Sequence, residues 1–235
     1  MCKIGEVVVV GGVRRSALIS LSNLGDDQMA HAKSGQWWDT EPQRALANNS
    51  VAYKGKPEMG TFMREWVSLY ESKSGERGIF NREAARVQAA KNGRRDIEHS
   101  FGCNPCSEII LRPYQFCNLS EVVARASDTQ QTLREKVRLA TILGTFQSTL
   151  TDFKYLRNIW KKNTEEERLL GVSLTGIMDN DLLSGTSHHL GTNIGSTLEA
   201  LRDTAVETNA AMAEQLGIPQ STAITCVKPS GTVSQ

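Results

Sequence analysis

Residues 101–110 read Phe-Gly-Cys-Asn-Pro-Cys-Ser-Glu-Ile-Ile. Asn104, Cys106 and Glu108 occupy alternate positions of this stretch, so an extended backbone would turn their side chains to one face. An amide, a thiol and a carboxylate on one face can act together on a bound substrate. Pro105 cannot lie inside a helix, and it favours an extended conformation for the residue before it. The stretch therefore predicts a protruding loop or strand tip that carries reactive side chains.

The cysteines of this region allow several interpretations. Residues 116–121 read Phe-Cys-Asn-Leu-Ser-Glu and add Cys117 to the earlier Cys103 and Cys106. Cys103 and Cys106 form a C-x-x-C pattern, which is typical of redox-active dithiols in intracellular proteins. Together with His99, the three cysteines could also supply four zinc ligands, although the ten residues between Cys106 and Cys117 fit known spacings loosely. Buried structural thiols are the third interpretation, and spacing alone leaves all three open.

Length and composition are typical of an intracellular globular protein. The chain has 235 residues, which is enough for one or two domains, and its hydrophobic content of 39% supports a core. The net charge of +1 gives no field that would attract nucleic acid or a membrane surface. No apolar run approaches the ~20 residues of a membrane span, and from the residue pattern we expect no signal peptide at the N-terminus. We therefore expect a cytoplasmic protein that binds neither nucleic acid nor membranes.

Hydrophobic periodicity predicts alternating strands and helices. Capping boxes are predicted at Thr164 and Ser196, and Gly217 is predicted to end the last helix. The predicted strands are residues 6–10, 16–22, 45–53, 78–81, 171–178 and 221–227, and the main predicted helices are 59–70, 82–91, 133–150 and 196–216. Strands separated by helices favour a parallel α/β fold.

The sequence around Cys106 resembles the finger loop of ribonucleotide reductase catalytic subunits. That family has the pattern Asn-Pro-Cys-x-Glu-Ile, followed by a second cysteine eleven positions after the first, and Cys106 and Cys117 keep this separation. Residues 7–17, Val-Val-Val-Val-Gly-Gly-Val-Arg-Arg-Ser-Ala, resemble the family's strand and specificity loop. Residues 227–234, Val-Lys-Pro-Ser-Gly-Thr-Val-Ser, resemble its substrate phosphate-binding turn. The three motifs follow the family's order from one end of the chain to the other.

Two further stretches indicate the branch of the family. Trp37-Trp38 and Ala47-Asn-Asn-Ser-Val51, together with the three motifs, resemble the adenosylcobalamin-dependent (class II) reductases, and within them the monomeric triphosphate reductases. The resemblance implies that residues 1–235 are part of the family's ten-stranded α/β barrel domain. It implies a specificity loop at 11–17, a finger loop at about 101–117 and a phosphate turn at 228–234.

The resemblance also implies roles for four residues. Cys106 matches the thiol whose thiyl radical removes the 3′-hydrogen of the ribose. Glu108 matches the carboxylate that takes the proton of the 3′-hydroxyl, and Asn104 matches an amide that hydrogen-bonds the ribose. Cys117 matches one thiol of the pair that delivers reducing equivalents and becomes a disulfide. The partner of Cys117 is not assigned, because Cys2 does not fit the family's pattern for it and Cys226 reads as a core residue.

Two loops are implied to bind nucleotides. In the phosphate turn, small residues would expose backbone amides and hydroxyls to an anion. Taken alone, such a sequence is as common in ordinary turns as in phosphate sites. Its residues are Pro229, Ser230, Gly231, Thr232 and Ser234. The specificity loop would relay the identity of a bound effector to the substrate base, although the residues alone favour a hairpin turn with two solvated arginines. Its residues are Gly12, Val13, Arg14, Arg15 and Ser16.

The resemblance implies a set of ligands and partners. They are a ribonucleotide substrate, adenosylcobalamin as cofactor, a dNTP or ATP effector and a thioredoxin-type reductant. The resemblance favours a triphosphate as the substrate. The motifs cover only part of the family's enzyme, so we expect a fragment or split-gene product that needs complementary reductase segments for activity. Two alternatives remain at this point: a small zinc or dithiol protein that uses the cysteines near His99, and a non-catalytic reductase remnant.

Overall fold

The computed structural model describes residues 1–10, 16–73, 75–185 and 193–229. The chain divides into two compact units. The first unit comprises Met1–Lys91 and Asp96–Arg112, and the second comprises Asn92–Arg95 and Pro113–Gln235.

The first unit is built on a parallel sheet. Its strands β1, β2 and β3 lie in the order β1-β2-β3, and Leu18 of β1 pairs with Ala47 of β2. Val51, Ala52 and Tyr53 of the central strand are buried, as expected for a strand flanked by neighbours on both sides. The elements of this unit are α1 (Cys2–Val10), β1 (Leu18–Ser22), α2 (Asp27–Ala30), α3 (Trp37–Thr40), a 3₁₀ turn (Pro42–Leu46), β2 (Ala47–Tyr53), α4 (Met59–Ser72), β3 (Gly78–Asn81), α5 (Arg82–Ala90), β4 (Gly102–Cys103) and β5 (Ile110–Leu111).

A buried ion pair ties the sheet of the first unit to α4. Arg77 donates from Nε and Nη2 to the two carboxylate oxygens of Glu65, at 3.0 and 2.6 Å. The same guanidinium donates to Ser22 Oγ and to the carbonyls of Asn23 and Leu24 at the end of β1. The planar fork of arginine suits this arrangement, because five donors can satisfy several acceptors in one plane.

The N-terminal segment corrects one sequence prediction. Residues 6–10 were predicted as a strand, but they lie in helix α1, and Val7 and Val10 are 73% and 80% exposed. A β-branched run forms a strand when a neighbouring strand can pair with it. In the described residues β1 pairs with β2 alone, so α1 satisfies its backbone groups within the helix instead.

The second unit contains a β-α-β arrangement. Strands β6 and β7 pair in parallel from Asn118↔Leu170 to Val123↔Thr175. An extended segment follows the other side of β7, where Thr225 forms a bridge with Val172. The elements of this unit are β6 (Asn118–Val123), α6 (Gln130–Gln147), α7 (Asn158–Glu167), β7 (Leu170–Thr175), a 3₁₀ turn (Ile177–Asp179), α8 (Asp181–Ser184) and α9 (Ile194–Leu216).

The hydrophobic core of the second unit lies between its two strands and helices α6 and α9. Its apolar side chains come from every one of these elements. They are Val122, Ala124, Leu133, Val137, Leu170, Val172, Leu183, Leu201, Ala205 and Ile224. The parallel α/β arrangement predicted from the alternation of strands and helices is therefore confirmed.

Helix boundaries in the second unit differ from the predictions at several places. Helix α6 begins three residues before the predicted start, because Thr129 and Thr132 form a reciprocal cap. Thr164 lies in the last turn of α7 instead of capping a helix, and α9 is capped by Asn193 instead of Ser196. Gly217 ends α9 in a left-handed conformation, as predicted.

The described residues hold seven strands in three separate sheets. A complete ten-stranded barrel is therefore not visible in them. Within the described ranges, no helix is both long enough and apolar enough to cross a membrane.

Candidate active site

The predicted tip around Cys106 is the end of a short hairpin in the first unit. Strands β4 and β5 pair in antiparallel fashion, with Gly102 opposite Leu111 and Cys103 opposite Ile110. The residues between them form the tip, and Cys106 is exposed there. Phe101, immediately before β4, is 1% exposed and anchors the base of the hairpin.

Asn104 organises the tip. Its carbonyl accepts a hydrogen bond from the backbone nitrogen of Ser107 at 2.9 Å, which closes a four-residue turn over Pro105 and Cys106. Its backbone nitrogen donates to the carbonyl of Ile109 at 3.2 Å, and its side-chain oxygen accepts from the nitrogen of Ile109 at 3.0 Å. Proline suits the second position of such a turn because its φ is already fixed.

The tip is a turn and not the extended segment that the alternate spacing assumed. Ser107 has a φ of +64°, a left-handed conformation that is uncommon for a residue with a Cβ. A left-handed residue reverses the chain, so the alternation of side chains does not continue from Cys106 to Glu108. The prediction of a protruding tip is confirmed, and the geometric argument for a shared face is wrong.

Two contacts from other elements hold the hairpin within the first unit. Asn48 of β2 donates from Nδ2 to the carbonyl of Pro105 at 2.7 Å. Arg82, the first residue of α5, donates to the carbonyl of Phe101. The backbone of the tip is thus fixed from both its turn and its base, which limits the directions in which Cys106 can point.

The two cysteines of the hairpin differ in their surroundings. Cys106 is exposed, whereas Cys103 is half-buried and its sulfur lies 3.6 Å from the Ser107 hydroxyl oxygen. Burial raises the pKa of the Cys103 thiol above its usual value, and the negative charge of Glu108 adds to this effect. The hydroxyl of Ser107 and the charge of Arg82 act in the opposite direction. The Glu108 carboxylate therefore acts electrostatically on the half-buried thiol.

The structure does not support the zinc interpretation. Among the described residues, which include His99 and all five cysteines, no three His, Cys, Asp or Glu side chains are close enough to hold a metal ion. His99 instead lies 3.2 Å from Arg112 Nη1 and 3.4 Å from Asp96 Oδ2, with its ring against Phe101.

Cys117 lies in the second unit, directly before β6. It is half-buried and follows Phe116, whose ring packs 4.9 Å from Phe153 and 4.8 Å from Trp160. Trp160 also meets the ring of Tyr114 at 5.7 Å. This aromatic cluster fixes the chain on the N-terminal side of Cys117.

A buried polar network supports the same segment, and the sequence analysis did not find it. Arg95 donates from Nε to both oxygens of Glu167 at 3.1 Å and from Nη2 to Gln115 Oε1 at 3.3 Å. Gln115 also donates to the Glu167 carboxylate, and Asn163 donates to the carbonyl of Pro113 at 2.9 Å. These polar residues are far apart in the sequence, so no local sequence pattern predicts their contact.

A second buried network anchors the segment that leads to the predicted phosphate turn. Asn209 of α9 donates from Nδ2 to Thr145 Oγ1 at 3.0 Å and to Ser221 Oγ at 3.1 Å, and its Oδ1 accepts from the Ser221 nitrogen at 3.0 Å. The segment then runs beside β7, where the Cys226 nitrogen donates to the Val172 carbonyl at 3.0 Å. The predicted strand at 221–227 is therefore an extended segment with a single bridge to β7.

Most residues of the two predicted nucleotide loops lie outside the described residues. Of the five residues named for the phosphate turn, only Pro229 is described, and it is exposed. Of the five residues named for the specificity loop, only Ser16 is described, and it is half-buried beside Gly5 of α1. The predictions for Ser230, Gly231, Thr232 and Ser234, and for Gly12, Val13, Arg14 and Arg15, remain predictions.

The chain is similar to known enzymes along its whole length. It is 32% identical over 260 residues to the adenosylcobalamin-dependent ribonucleoside-triphosphate reductase of Lacticaseibacillus paracasei, a match that covers 99% of this chain and 33% of that protein. The reductase of the same name from Lactobacillus acidophilus is 31% identical over 262 residues, with the same coverage. A comparison with models of protein families finds no match.

The chain is a homologue of adenosylcobalamin-dependent ribonucleoside-triphosphate reductases. It spans about a third of the length of these homologous reductases. The resemblance predicted from the three sequence motifs is therefore confirmed.

Two solved structures share the fold. A crystal structure of a B12-dependent (class II) ribonucleotide reductase superposes with a TM-score of 0.68 at 24% identity, over 98% of this chain and 34% of that chain. The α subunit of the class Id ribonucleotide reductase of Actinobacillus ureae superposes with a TM-score of 0.63 at 13% identity, over 96% and 48% of the two chains. This chain thus shares the α/β fold of the matching parts of these two structures.

Proposed function

We propose that this chain forms part of the catalytic centre of a ribonucleoside-triphosphate reductase of the EC 1.17.4 class, which supplies DNA precursors in the cytoplasm. The observation that carries the proposal is the exposed Cys106 thiol on a hairpin tip that is fixed by Asn104 and by β2. The likeness to the homologous reductases over 99% of the chain supports it. The proposed domain is a partial catalytic barrel domain of residues 1–235, with its finger loop at about 101–117.

Four residues have proposed roles in the reaction. The thiyl radical of Cys106 takes the 3′-hydrogen of the ribose, and Glu108 takes the proton of the 3′-hydroxyl. The 2′-hydroxyl then leaves as water with a proton from the Cys117 thiol pair, and Cys106 finally returns the hydrogen to C3′. Asn104 hydrogen-bonds the ribose, and this contact would use the amide nitrogen because its side-chain oxygen already accepts from Ile109. Cys117 and a second thiol supply two electrons and become a disulfide, which a thioredoxin-type dithiol reduces.

Adenosylcobalamin is the proposed cofactor, and it would supply the radical equivalent that oxidises the Cys106 thiol. The tip fits this requirement, because a radical donor from outside the chain needs an exposed sulfur and Cys106 is exposed. The residues nearest to such a donor would be those of the turn, Pro105 to Ser107. Water must be kept from a sulfur radical, so other reductase segments are proposed to cover the tip.

The remaining partners are also proposals. A ribonucleoside triphosphate would place its phosphates on Pro229, Ser230, Gly231, Thr232 and Ser234. A dNTP or ATP effector would act through Gly12, Val13, Arg14, Arg15 and Ser16. Complementary reductase segments would complete the barrel. These three proposals are supported by the sequence likeness to the homologous reductases and by the order of the motifs.

A chimeric enzyme tests the proposal. The homologous third of the Lacticaseibacillus paracasei reductase is replaced by this chain, and deoxyribonucleotide formation is measured with and without adenosylcobalamin. We expect cofactor-dependent reduction that is abolished by Cys106→Ser and lowered at least 100-fold by Glu108→Gln, since a missing general base typically costs 10²–10⁴ in rate.

The control is Cys2→Ser, the same chemical change away from the tip, which should leave the rate unchanged. Circular dichroism and thermal unfolding of the chimera establish that it is folded. A folded chimera without activity, or one whose activity survives Cys106→Ser, would overturn the proposal.

A further inference from the structure

The tip carries a conformational cost at Ser107. Its φ of +64° lies in the left-handed region, which glycine adopts easily and other residues adopt at a cost in free energy. Such residues persist where their surroundings hold them. Ser107 separates Cys106 from Glu108, so its conformation decides how the thiol and the carboxylate are oriented relative to each other.

A side-chain contact spans the turn at this residue. The Cys103 sulfur lies 3.6 Å from the Ser107 hydroxyl oxygen, within hydrogen-bond range for sulfur. Cys103 is itself fixed, because it belongs to β4 and pairs with Ile110. The contact therefore connects the left-handed residue to the rigid part of the hairpin.

The chemistry of Cys103 suits this position. Its thiol is half-buried, and its burial and the negative charge of Glu108 both raise its pKa. A protonated thiol can donate to the Ser107 hydroxyl, and it adds no negative charge beside the Glu108 carboxylate. A carboxylate or a thiolate at position 103 would repel Glu108.

We infer that Cys103 and Ser107 are positioning residues, whose side-chain contact holds Ser107 left-handed and so sets the relative orientation of Cys106 and Glu108. The effect of this contact on the reaction rests on the proposed function. The effect of the contact on the shape of the tip is independent of the proposed function.

Hydrogen exchange of the isolated chain tests the structural part. The exchange rates of the Ser107 and Ile109 amides, both bonded to Asn104, report the closure of the turn. We expect Cys103→Ala and Ser107→Ala to raise these rates at least threefold. Cys103→Ser should keep rates close to those of the unchanged chain, because a hydroxyl can replace the thiol in the contact.

Two matched variants sharpen the test. Ser107→Gly removes the hydroxyl together with the cost of a left-handed φ, so its turn should open less often than that of Ser107→Ala. Cys2→Ala makes the same change as Cys103→Ala in α1 and should not alter the tip. Unchanged exchange in both Cys103→Ala and Ser107→Ala, or equal effects of Cys103→Ser and Cys103→Ala, would overturn the inference.

Turnover of the chimeric enzyme tests the functional part. Cys103→Ala should lower kcat at least threefold with little change in KM, and Cys103→Ser should restore it. If exchange responds as expected but the unchanged chimera has no activity, the proposed function fails while the role of the contact in the tip stands. If the chimera is active and Cys103→Ala leaves kcat unchanged, the proposed positioning role of Cys103 is wrong.

Discussion

At the scale of single residues, the hairpin gives two neighbouring cysteines different chemical characters. Cys106 is exposed at the turn, whereas Cys103 is half-buried and its pKa is raised by burial and by the charge of Glu108. The thiolate is the nucleophilic form of cysteine, so a raised pKa and burial both slow its reaction with electrophiles. The C-x-x-C pattern therefore does not behave as two equivalent thiols.

The first prediction concerns alkylation of these thiols. With limiting iodoacetamide near neutral pH, Cys106 should be modified several times faster than Cys103, because the Cys103 pKa is raised by burial and by the charge of Glu108. Peptide mass spectrometry of the isolated chain measures both rates. In a Glu108→Gln variant the Cys103 rate should increase, since one cause of the raised pKa is removed. Equal rates for the two cysteines would contradict this assignment.

The second prediction concerns stability in acid. Lys136 lowers the pKa of Asp128 below its ordinary value of 3.8, with help from the Arg125 nitrogen and the Thr132 hydroxyl. A lowered folded-state pKa stabilises the fold above the unfolded-state pKa, and this contribution is lost as the pH falls through the folded-state value. We therefore expect Asp128→Asn to lower the free energy of unfolding by about 1 kcal/mol at pH 7 and by much less near pH 2.

Urea unfolding at a series of pH values measures this difference. The matched control is Asp203→Asn, since Asp203 is exposed on α9 and pairs with its neighbour Arg202. It should change the free energy of unfolding by less than about 0.5 kcal/mol. If Asp128→Asn destabilises the fold equally at both pH values, the charge of this carboxylate does not contribute to stability.

At the scale of secondary-structure elements, buried polar contacts decide where the segments with proposed roles lie. The network of Arg95, Gln115 and Glu167 fixes the chain that leads to Cys117. Asn209 fixes the segment that leads to the predicted phosphate turn. A polar contact of this kind fixes one register, because a shifted segment would leave buried donors and acceptors without partners.

The third prediction tests the Asn209 contact. Asn209→Ala should lower the free energy of unfolding by about 2–4 kcal/mol, because the buried nitrogen of Ser221 and the hydroxyls of Thr145 and Ser221 lose their partner. Denaturant unfolding gives the values.

The control for this change lies on the exposed side of the same helix. Glu207→Ala removes an exposed side chain from α9 and should alter stability by less than about 0.5 kcal/mol. A cost for Asn209→Ala as small as that of the control would mean that the contact does not hold the segment.

At the scale of the whole molecule, the chain presents apolar surface that its own described residues do not cover. On α6, Leu143 and Phe146 are 66% and 48% exposed, while Thr141, Gly144 and Thr145 of the same helix are buried. Exposed apolar side chains that recur on one helix are typical of a surface that contacts another polypeptide. This is consistent with the proposal that further reductase segments complete the enzyme.

The fourth prediction follows from the length of the homologous reductases. The isolated chain should form no deoxyribonucleotide when supplied with ribonucleoside triphosphate, adenosylcobalamin and a dithiol, because the proposed reaction needs a covered radical site and a thiol partner for Cys117. Chromatography of the products measures this. Adding the segments of the Lacticaseibacillus paracasei reductase that flank the homologous third should produce activity that Cys106→Ser removes. Turnover by the isolated chain would contradict the proposal that it needs such segments.

Local features of this protein follow from the amino-acid sequence alone. Asn-Pro at 104–105 predicts a turn wherever it stands, and Gly217 ends a helix because glycine adopts a left-handed conformation at little cost. The alternation of strands and helices predicted the parallel sheets, and the motifs around Cys106 predicted the homologous reductases. These features depend on backbone preferences and on short patterns, which need no distant contacts.

Other features depend on contacts between residues that are distant in the sequence. Residues 6–10 have the composition of a strand, yet no described strand pairs with them and they form a helix. In α6 the close packing against α9 buries the small side chains Thr141 and Thr145 rather than the larger Leu143. The left-handed Ser107 and its contact with Cys103 exist because the hairpin brings them together. Pattern and propensity carry no information about such partners, since the free energy of each choice is set by the residues that pack against it.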